Sequence, residues 1–200
     1  MEKRKTMISH SHKFIFVHIN RTGGTSIEKA LKDFGGIDNC PEGSFGRHDT
    51  SKSLSRLPYW NDYFKFSFVR NPWDKECSDY HWHQKLFKRG SRKTCAKTFQ
   101  DYFELPEEKP DNKAFYWHSN QLEWLFSHDG KMEIDFIGRF ENLQEDFNEV
   151  CKKIKIDPFK LPHKNNTEKK DYKDLYTEDL VDKVRYNYRY DINYFKYKFK

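Results

Sequence analysis

The hydrophobic pattern of the chain changes period at a small-residue turn near its start. Phe14-Ile15-Phe16-Val17-His18-Ile19 is a short, nearly continuous apolar run, as expected of a strand buried on both faces of a parallel sheet. Beyond Thr22-Gly23-Gly24-Thr25-Ser26, the residues Ile27, Ala30, Leu31 and Phe34 recur at i, i+3, i+4 and i+7, which predicts an amphipathic helix that Gly35-Gly36 can end. A second strand-loop-helix unit follows, in which Phe64, Phe66 and Phe68 alternate, Asn71 can cap and Pro72 suits the first helical position. A third strand is expected at Ile134-Asp135-Phe136-Ile137, before a helix with Leu143, Phe147, Val150, Cys151 and Ile154 on one face, and another helix should begin at Thr177. Stretches 104–113 and 161–171 read as surface loops from their Pro, Asn and charge content.

Strands alternating with helices predict an α/β fold with a central parallel sheet, whose ligands bind beyond the carboxyl ends of the strands. Both notable turns, the glycine loop and the Arg70 turn, fall on that edge. With 200 residues the chain is expected to form a single domain, 1–200, with residues 1–12 flexible.

Composition narrows the classes. A mean hydropathy of −1.07 coexists with 36% hydrophobic and 18% aromatic residues, so the polarity comes from many charged groups and not from a missing core. The +6 balance favours an anionic ligand but falls short of a nucleic-acid-binding signature. Cys40, Cys77, Cys95 and Cys151 form no CxxC pair, so reduced thiols and a cytoplasmic location are expected. From the charged start of the chain, neither a signal peptide nor a membrane anchor is expected.

A glycine-rich turn entering a helix presents backbone N–H groups to an anion, and the helix dipole adds positive potential. The turn is not a Walker A motif, because its basic residue, Arg21, precedes the glycines. "HINRTGGTSI" resembles the 5′-phosphosulfate loop of sulfotransferases, commonly HIPKTGGTS, and "FVRNPWDKECSDY" resembles their 3′-phosphate segment, commonly FVRNPWDRLVSSY. "HSNQLEWLFSHDGKMEIDFIGRFENL" and the stretch from Pro162 to Phe199 are similar to the corresponding parts of carbohydrate sulfotransferases.

The resemblance runs from about Lys13 to Phe199. It implies a three-layer α/β/α fold of P-loop-NTPase-like type and transfer of a sulfuryl group from 3′-phosphoadenosine 5′-phosphosulfate (PAPS) to a hydroxyl, with no metal. The implied donor ligands are Arg21, Thr22, Gly23, Gly24, Thr25, Ser26, Arg70, Ser78, Asn165 and Thr167. Arg70 would supply charge and a fork, and Ser78 a hydroxyl donor. Arg21 stands where the family carries Lys, so the charge is kept while reach and shape change. Asn20 replaces the common Pro, Lys75 an Arg, and Asn166 a basic residue.

The acceptor hydroxyl needs a base, and histidine is suited because its pKa lies near neutrality. His48, in "GRHDTSKSL", lies in a loop resembling the one where related glycan sulfotransferases carry their basic histidine. His118 and Gln121, in "YWHSNQ", would line the acceptor cleft or pack in the interior. His18 inside the first strand reads as a satisfied core histidine, and His10 and His12 belong to the flexible terminus. His81 and His83, two apart on a helix, cannot readily share an ion. The expected partner is a glycan or other hydroxyl-bearing acceptor, not nucleic acid. Two rival readings remain at this level: a nucleotide-dependent phosphotransferase, and a non-catalytic binder of anionic glycans on the same fold.

Overall fold

A computed structural model describes residues 6–34, 36–37, 46–91, 96–104, 120–162 and 171–200, with residues 36 and 37 as backbone alone. His118, Asn165, Thr167, Cys40 and Cys95 lie outside the described residues. The chain divides into two compact units. The first holds residues 1–70 and 121–165, and the second 71–120 and 166–200.

The first unit is built on a five-stranded sheet. Its strands are β1 (Met7–Ser9), β2 (Phe14–Val17), β3 (Gly36–Ile37), β4 (Phe64–Val69) and β5 (Phe136–Arg139), in the order β3-β1-β2-β4-β5. The pairs β2–β4 and β4–β5 are parallel, as the apolar runs predict, with Phe16 beside Phe66 and Phe66 beside Phe136. The sheet as a whole is mixed, because β1 pairs antiparallel with both β2 and β3.

The expectation of a flexible residue 1–12 segment is corrected at β1. Met7 and Ile8 are buried there, and the chain folds back through a turn at 10–13 that Lys13 completes with φ 50°. His12 is also engaged, its Nδ1 lying 3.1 Å from the Ile154 carbonyl.

Side-chain alternation puts Phe14 and Phe16 of β2 and Phe66 and Phe68 of β4 on one face. Two helices, α1 (Gly24–Leu31) and α5 (Leu143–Lys153), bury Ile27, Ala30, Leu31, Phe147, Val150 and Cys151 in the same core, joined by Ile154 at the C-cap of α5. The helix α1 ends four residues before Gly35, so Phe34 packs from the turn that follows instead of from the helix. Gly138 of β5 is dictated by packing, since a Cβ there would stand 2.4 Å from the Phe68 ring. A short helix α2 (Ser51–Leu54) precedes β4. Burial pushes the Cys151 thiol up to about 11, so it is an inert core residue.

The second unit consists of helices α3 (Pro72–Lys88), α4 (Phe99–Glu104), α6 (Glu178–Asn187) and α7 (Arg189–Phe195). The expected caps are present. The Asn71 side chain accepts from the Trp73 amide with Pro72 at the first turn, and Thr177 accepts from the Leu180 amide. The Trp73 indole donates to the Val181 carbonyl at 3.1 Å, tying α3 to α6. The interior of this unit is unusually polar for a helical core. Glu76 and Asp79 are fully buried, Tyr188 donates to Glu76, and the Lys75 ammonium lies 5.6 Å from the Tyr188 ring centroid. His81 is exposed and His83 buried, as their two-residue spacing on a helix requires.

Candidate active site

The parallel strands β2, β4 and β5 share one carboxyl edge, where the sequence placed its anion loop. The loop follows β2 through Arg21, whose φ of 65° is left-handed, and through Gly23 with φ 84°. A Cβ on Gly23 would meet the Leu143 side chain at 2.8 Å, so both conformation and space select glycine. The Thr22 hydroxyl donates to the Ile19 carbonyl at 2.9 Å, which closes the turn from within and commits this side chain to structure. The Ser26 amide likewise donates to the Gly23 carbonyl at 2.9 Å. The amides of Gly24 and Thr25 begin α1 and have no intrahelical acceptor, so they carry the anion-binding capacity of the turn.

Gly24 is glycine for a second reason. A Cβ there would lie 2.1 Å from the His18 Nε2, because the imidazole packs directly on the loop. His18 stacks on Phe16 with centroids 5.3 Å apart and donates from Nδ1 to Glu28 Oε1 at 2.6 Å. It is the buried, satisfied histidine the strand pattern predicts, and burial lowers its pKa despite the opposing pull of Glu28.

Glu28 joins three segments. It sits on α1, accepts from His18 and pairs with the Arg47 guanidinium. Burial alone would raise its carboxyl, but the hydrogen bonds and charges of His18 and Arg47 outweigh that and hold it below the usual carboxylate value. Arg47 also donates from Nη2 to Thr25 Oγ1 at 3.0 Å, so the loop carrying His48 is fastened to the anion loop. That bond uses the Thr25 oxygen as acceptor and leaves the hydroxyl proton available to donate outward.

His48 stands beside this cluster. Its ring centroid is 4.5 Å from that of His18 and 6.4 Å from Trp124, and its Nδ1 is 3.0 Å from the His18 carbonyl oxygen. A carbonyl can only accept, so Nδ1 carries the proton and Nε2 the lone pair. Burial, then the charges of His18 and Arg47, push the His48 pKa down to about 3. The imidazole is therefore neutral at physiological pH.

Arg70 closes the site from β4. Its Nη1 donates to the Arg21 carbonyl at 3.0 Å, and its guanidinium carbon lies 3.9 Å from the Phe140 ring centroid. Gln121, for which the sequence left an acceptor cleft and the interior both open, packs in the interior. Its amide oxygen accepts from the Arg70 amide and its nitrogen donates to the Arg70 carbonyl, both at 2.8 Å. The physical reason is that a strand end beyond the ladder needs new backbone partners, and one side-chain amide satisfies both groups. Ser78 is half-buried on α3 in the second unit.

Ser26 opens on a cavity of about 450 Å³ bounded by Leu143, Gln144, Asn148 and residues 158–162. Gln144 shapes its wall, accepting from the Leu161 amide at 2.8 Å and donating to the Phe159 carbonyl at 3.0 Å. Sequence reasoning missed Glu28, Arg47 and Gln144. Arg47 adjoins the candidate base and Glu28 falls one helical turn after Gly24, but nothing local in the sequence pairs them.

The family model described as "Sulfotransferase family" matches residues 4–198. The chain belongs to the sulfotransferase family. The crystal structure of mouse sulfotransferase SULT7A1 complexed with PAP resembles it with a TM-score of 0.55 at 14% identity, over 92% of this chain and 85% of that one. No curated protein matches the chain. The expected α/β class thus stands as a sulfotransferase fold, in which β1 alone runs against the other strands, between β3 and the parallel core β2-β4-β5. Among the described residues, no helix of this sulfotransferase is long and apolar enough to cross a membrane.

Proposed function

We propose that this sulfotransferase moves the sulfuryl group of PAPS to a hydroxyl, most readily one on a carbohydrate, with His48 as general base. The observation that carries the reading is the tautomer of His48. Its Nδ1–H is committed to the His18 carbonyl, which leaves the lone pair on Nε2, on a loop that Arg47 ties to Thr25 of the anion loop. When bound, PAPS supplies an activated sulfur whose bond to the phosphate oxygen breaks as the acceptor oxygen attacks.

The residues fit such a donor. The Gly24 and Thr25 amides and the Thr25 hydroxyl would hold its phosphosulfate, and the cavity beside Ser26 has the size and the mixed apolar and amide lining suited to a purine. Arg70 and Ser78 would hold the 3′-phosphate, joined by Asn165 and Thr167. Arg21 would place positive charge near the oxygen that departs, and Arg47, fixed by Glu28, would add a second cation. His48 Nε2 takes the acceptor proton while the adenosine bisphosphate leaves with the electron pair of the broken bond. Carbohydrate is preferred as acceptor because of the "DFIGRFENL" and C-terminal resemblances. His118 remains a candidate acceptor contact.

The test is incubation of the wild-type chain with sulfur-labelled PAPS and a panel of glycans, phenols and tyrosine peptides. Label is expected on a glycan, with loss of transfer in His48→Ala and retained nucleotide binding. Label confined to phenols would overturn the acceptor assignment, and full transfer by His48→Ala would overturn the base.

A further inference from the structure

The exposed aromatic residues of the second unit gather on one strip of surface. Tyr186, Tyr190 and Tyr194 retain 70%, 54% and 53% of their surface in solvent, values unusual for aromatic side chains. They fall at i, i+4 and i+8 along α6 and α7, about 6 Å apart for each four residues of helix. The helical bonding continues across the junction through Tyr188 N–H to the Val184 carbonyl and Ile192 N–H to the Tyr188 carbonyl, so the three positions keep a common face.

Arg189 lies within this strip. Its guanidinium carbon is 4.9 Å from the Tyr186 centroid and 4.6 Å from the Tyr190 centroid. Its Nη1 donates to the Tyr186 carbonyl at 2.9 Å and its Nη2 to the Tyr190 hydroxyl at 3.3 Å. Nearby cations are spent on carboxylates, Arg185 on Asp182 and Lys183 on Glu104, but among the described residues no carboxylate pairs with Arg189. From 183 to 200 the sequence has six Lys or Arg and one acidic residue, Asp191, which is fully buried. The surface is therefore a row of exposed rings with a held cation among them, on a segment of net positive charge.

We infer that the Tyr186–Arg189–Tyr190–Tyr194 strip binds an anionic polysaccharide. Exposed tyrosine rings offer flat apolar faces to the C–H groups of pyranose rings and hydroxyls to their oxygens. A guanidinium already held by two rings loses little freedom when it takes a sulfate or carboxylate through its remaining N–H groups. Lys196, Lys198 and Lys200 add unspecific attraction along the same segment. The choice of polysaccharide rests on the glycan-acceptor reading above.

The experiment uses the full chain with heparin, with uncharged dextran and with short single-stranded DNA as probes, measuring affinity against salt. Tyr186→Ala/Tyr190→Ala/Tyr194→Ala keeps the charge unchanged, and Arg189→Ala and Arg189→Lys vary the cation. Heparin affinity is expected to fall about tenfold in the triple tyrosine variant and in Arg189→Ala, with partial recovery in Arg189→Lys. Heparin binding equal to wild type in the triple variant would overturn the inference, since diffuse charge would then suffice. Equal or tighter binding of DNA through the same residues would also overturn it, as would a wild-type dimer that the tyrosine variant dissociates. Thermal stabilisation by adenosine 3′,5′-bisphosphate, read on the same proteins, separates the two proposals. Its absence in wild type counts against the donor reading, and its presence together with unaltered heparin binding counts against the strip alone.

Discussion

The Nδ1 of His48 donates to the main-chain carbonyl of His18 at 3.0 Å, so the candidate base is oriented by the strand that leads into the anion loop. This bond fixes the tautomer, and burial fixes the charge state. Neutrality has a cost in basicity, since an imidazole with a pKa near 3 attracts a proton weakly. Sulfuryl transfer suits such a base, because the acceptor proton becomes acidic as its oxygen bonds to sulfur.

The first prediction concerns rate. His48→Ala should lower kcat by about 10² to 10⁴ with nucleotide affinity little changed, the usual scale of general acid–base catalysis. The acid limb of kcat/KM should lie well below pH 6, because the free-enzyme imidazole protonates only near its depressed value of about 3. A limb at the ordinary histidine value that vanishes in the variant would refute the depressed pKa of His48.

Acid stability supplies the second. The pKa of His48 is lower in the folded protein than its ordinary 6.5, and that of His18 is lowered too. Protons therefore bind the unfolded chain more readily, and the stability held above pH 6.5 is lost as pH falls from 6.5 toward about 3. Thermal midpoints should drop across that window, and His48→Asn should flatten the drop. An identical profile in His48→Asn would remove His48 from the effect.

Gly24→Ala tests the contact between loop and strand. The added Cβ would stand 2.1 Å from His18 Nε2, and the ring cannot retreat through Phe16, on which it stacks. A loss of about 1–3 kcal/mol is expected in chemical denaturation, the scale of core overpacking. Nucleotide binding should weaken as well, since the same movement displaces the Gly24 and Thr25 amides.

Glu28→Ala removes the carboxylate shared by His18 and Arg47. With both side chains mostly buried, the loss is expected at about 1–3 kcal/mol. Turnover should fall more than nucleotide affinity, because the freed Arg47 no longer holds the His48 loop against Thr25. Unchanged kcat in a folded Glu28→Ala protein would show that the fastening is dispensable.

Arg70 provides the last test. Adenosine 3′,5′-bisphosphate should raise the thermal midpoint more than AMP does, and Arg70→Ala should erase most of the difference, because only a bound ligand stabilises. Equal shifts from both nucleotides in wild type would refute the assignment of Arg70 to the 3′-phosphate.

Local order determined much of this protein from sequence alone. The Phe14–Ile19 run, the Thr22–Ser26 turn, the Asn71-Pro72 start and the Thr177 cap each draw their structure from neighbours within a few residues, so periodicity and capping chemistry expose them. The resemblance motifs marked His48 and Arg70 for the same reason, as each sits inside a short contiguous segment. Tertiary structure decided the rest. The three-residue β1 exists because two other strands pair with it, and its own sequence carries no period to announce that. Gln121 became the clamp of Arg70 through bonds spanning 51 positions, and Glu28 met Arg47 across a loop, where the pattern of either segment reads only as a polar surface. Burial and pairing are properties of where the chain returns to itself, which is why the sequence could point to a base at His48 while its tautomer and depressed pKa had to await the fold.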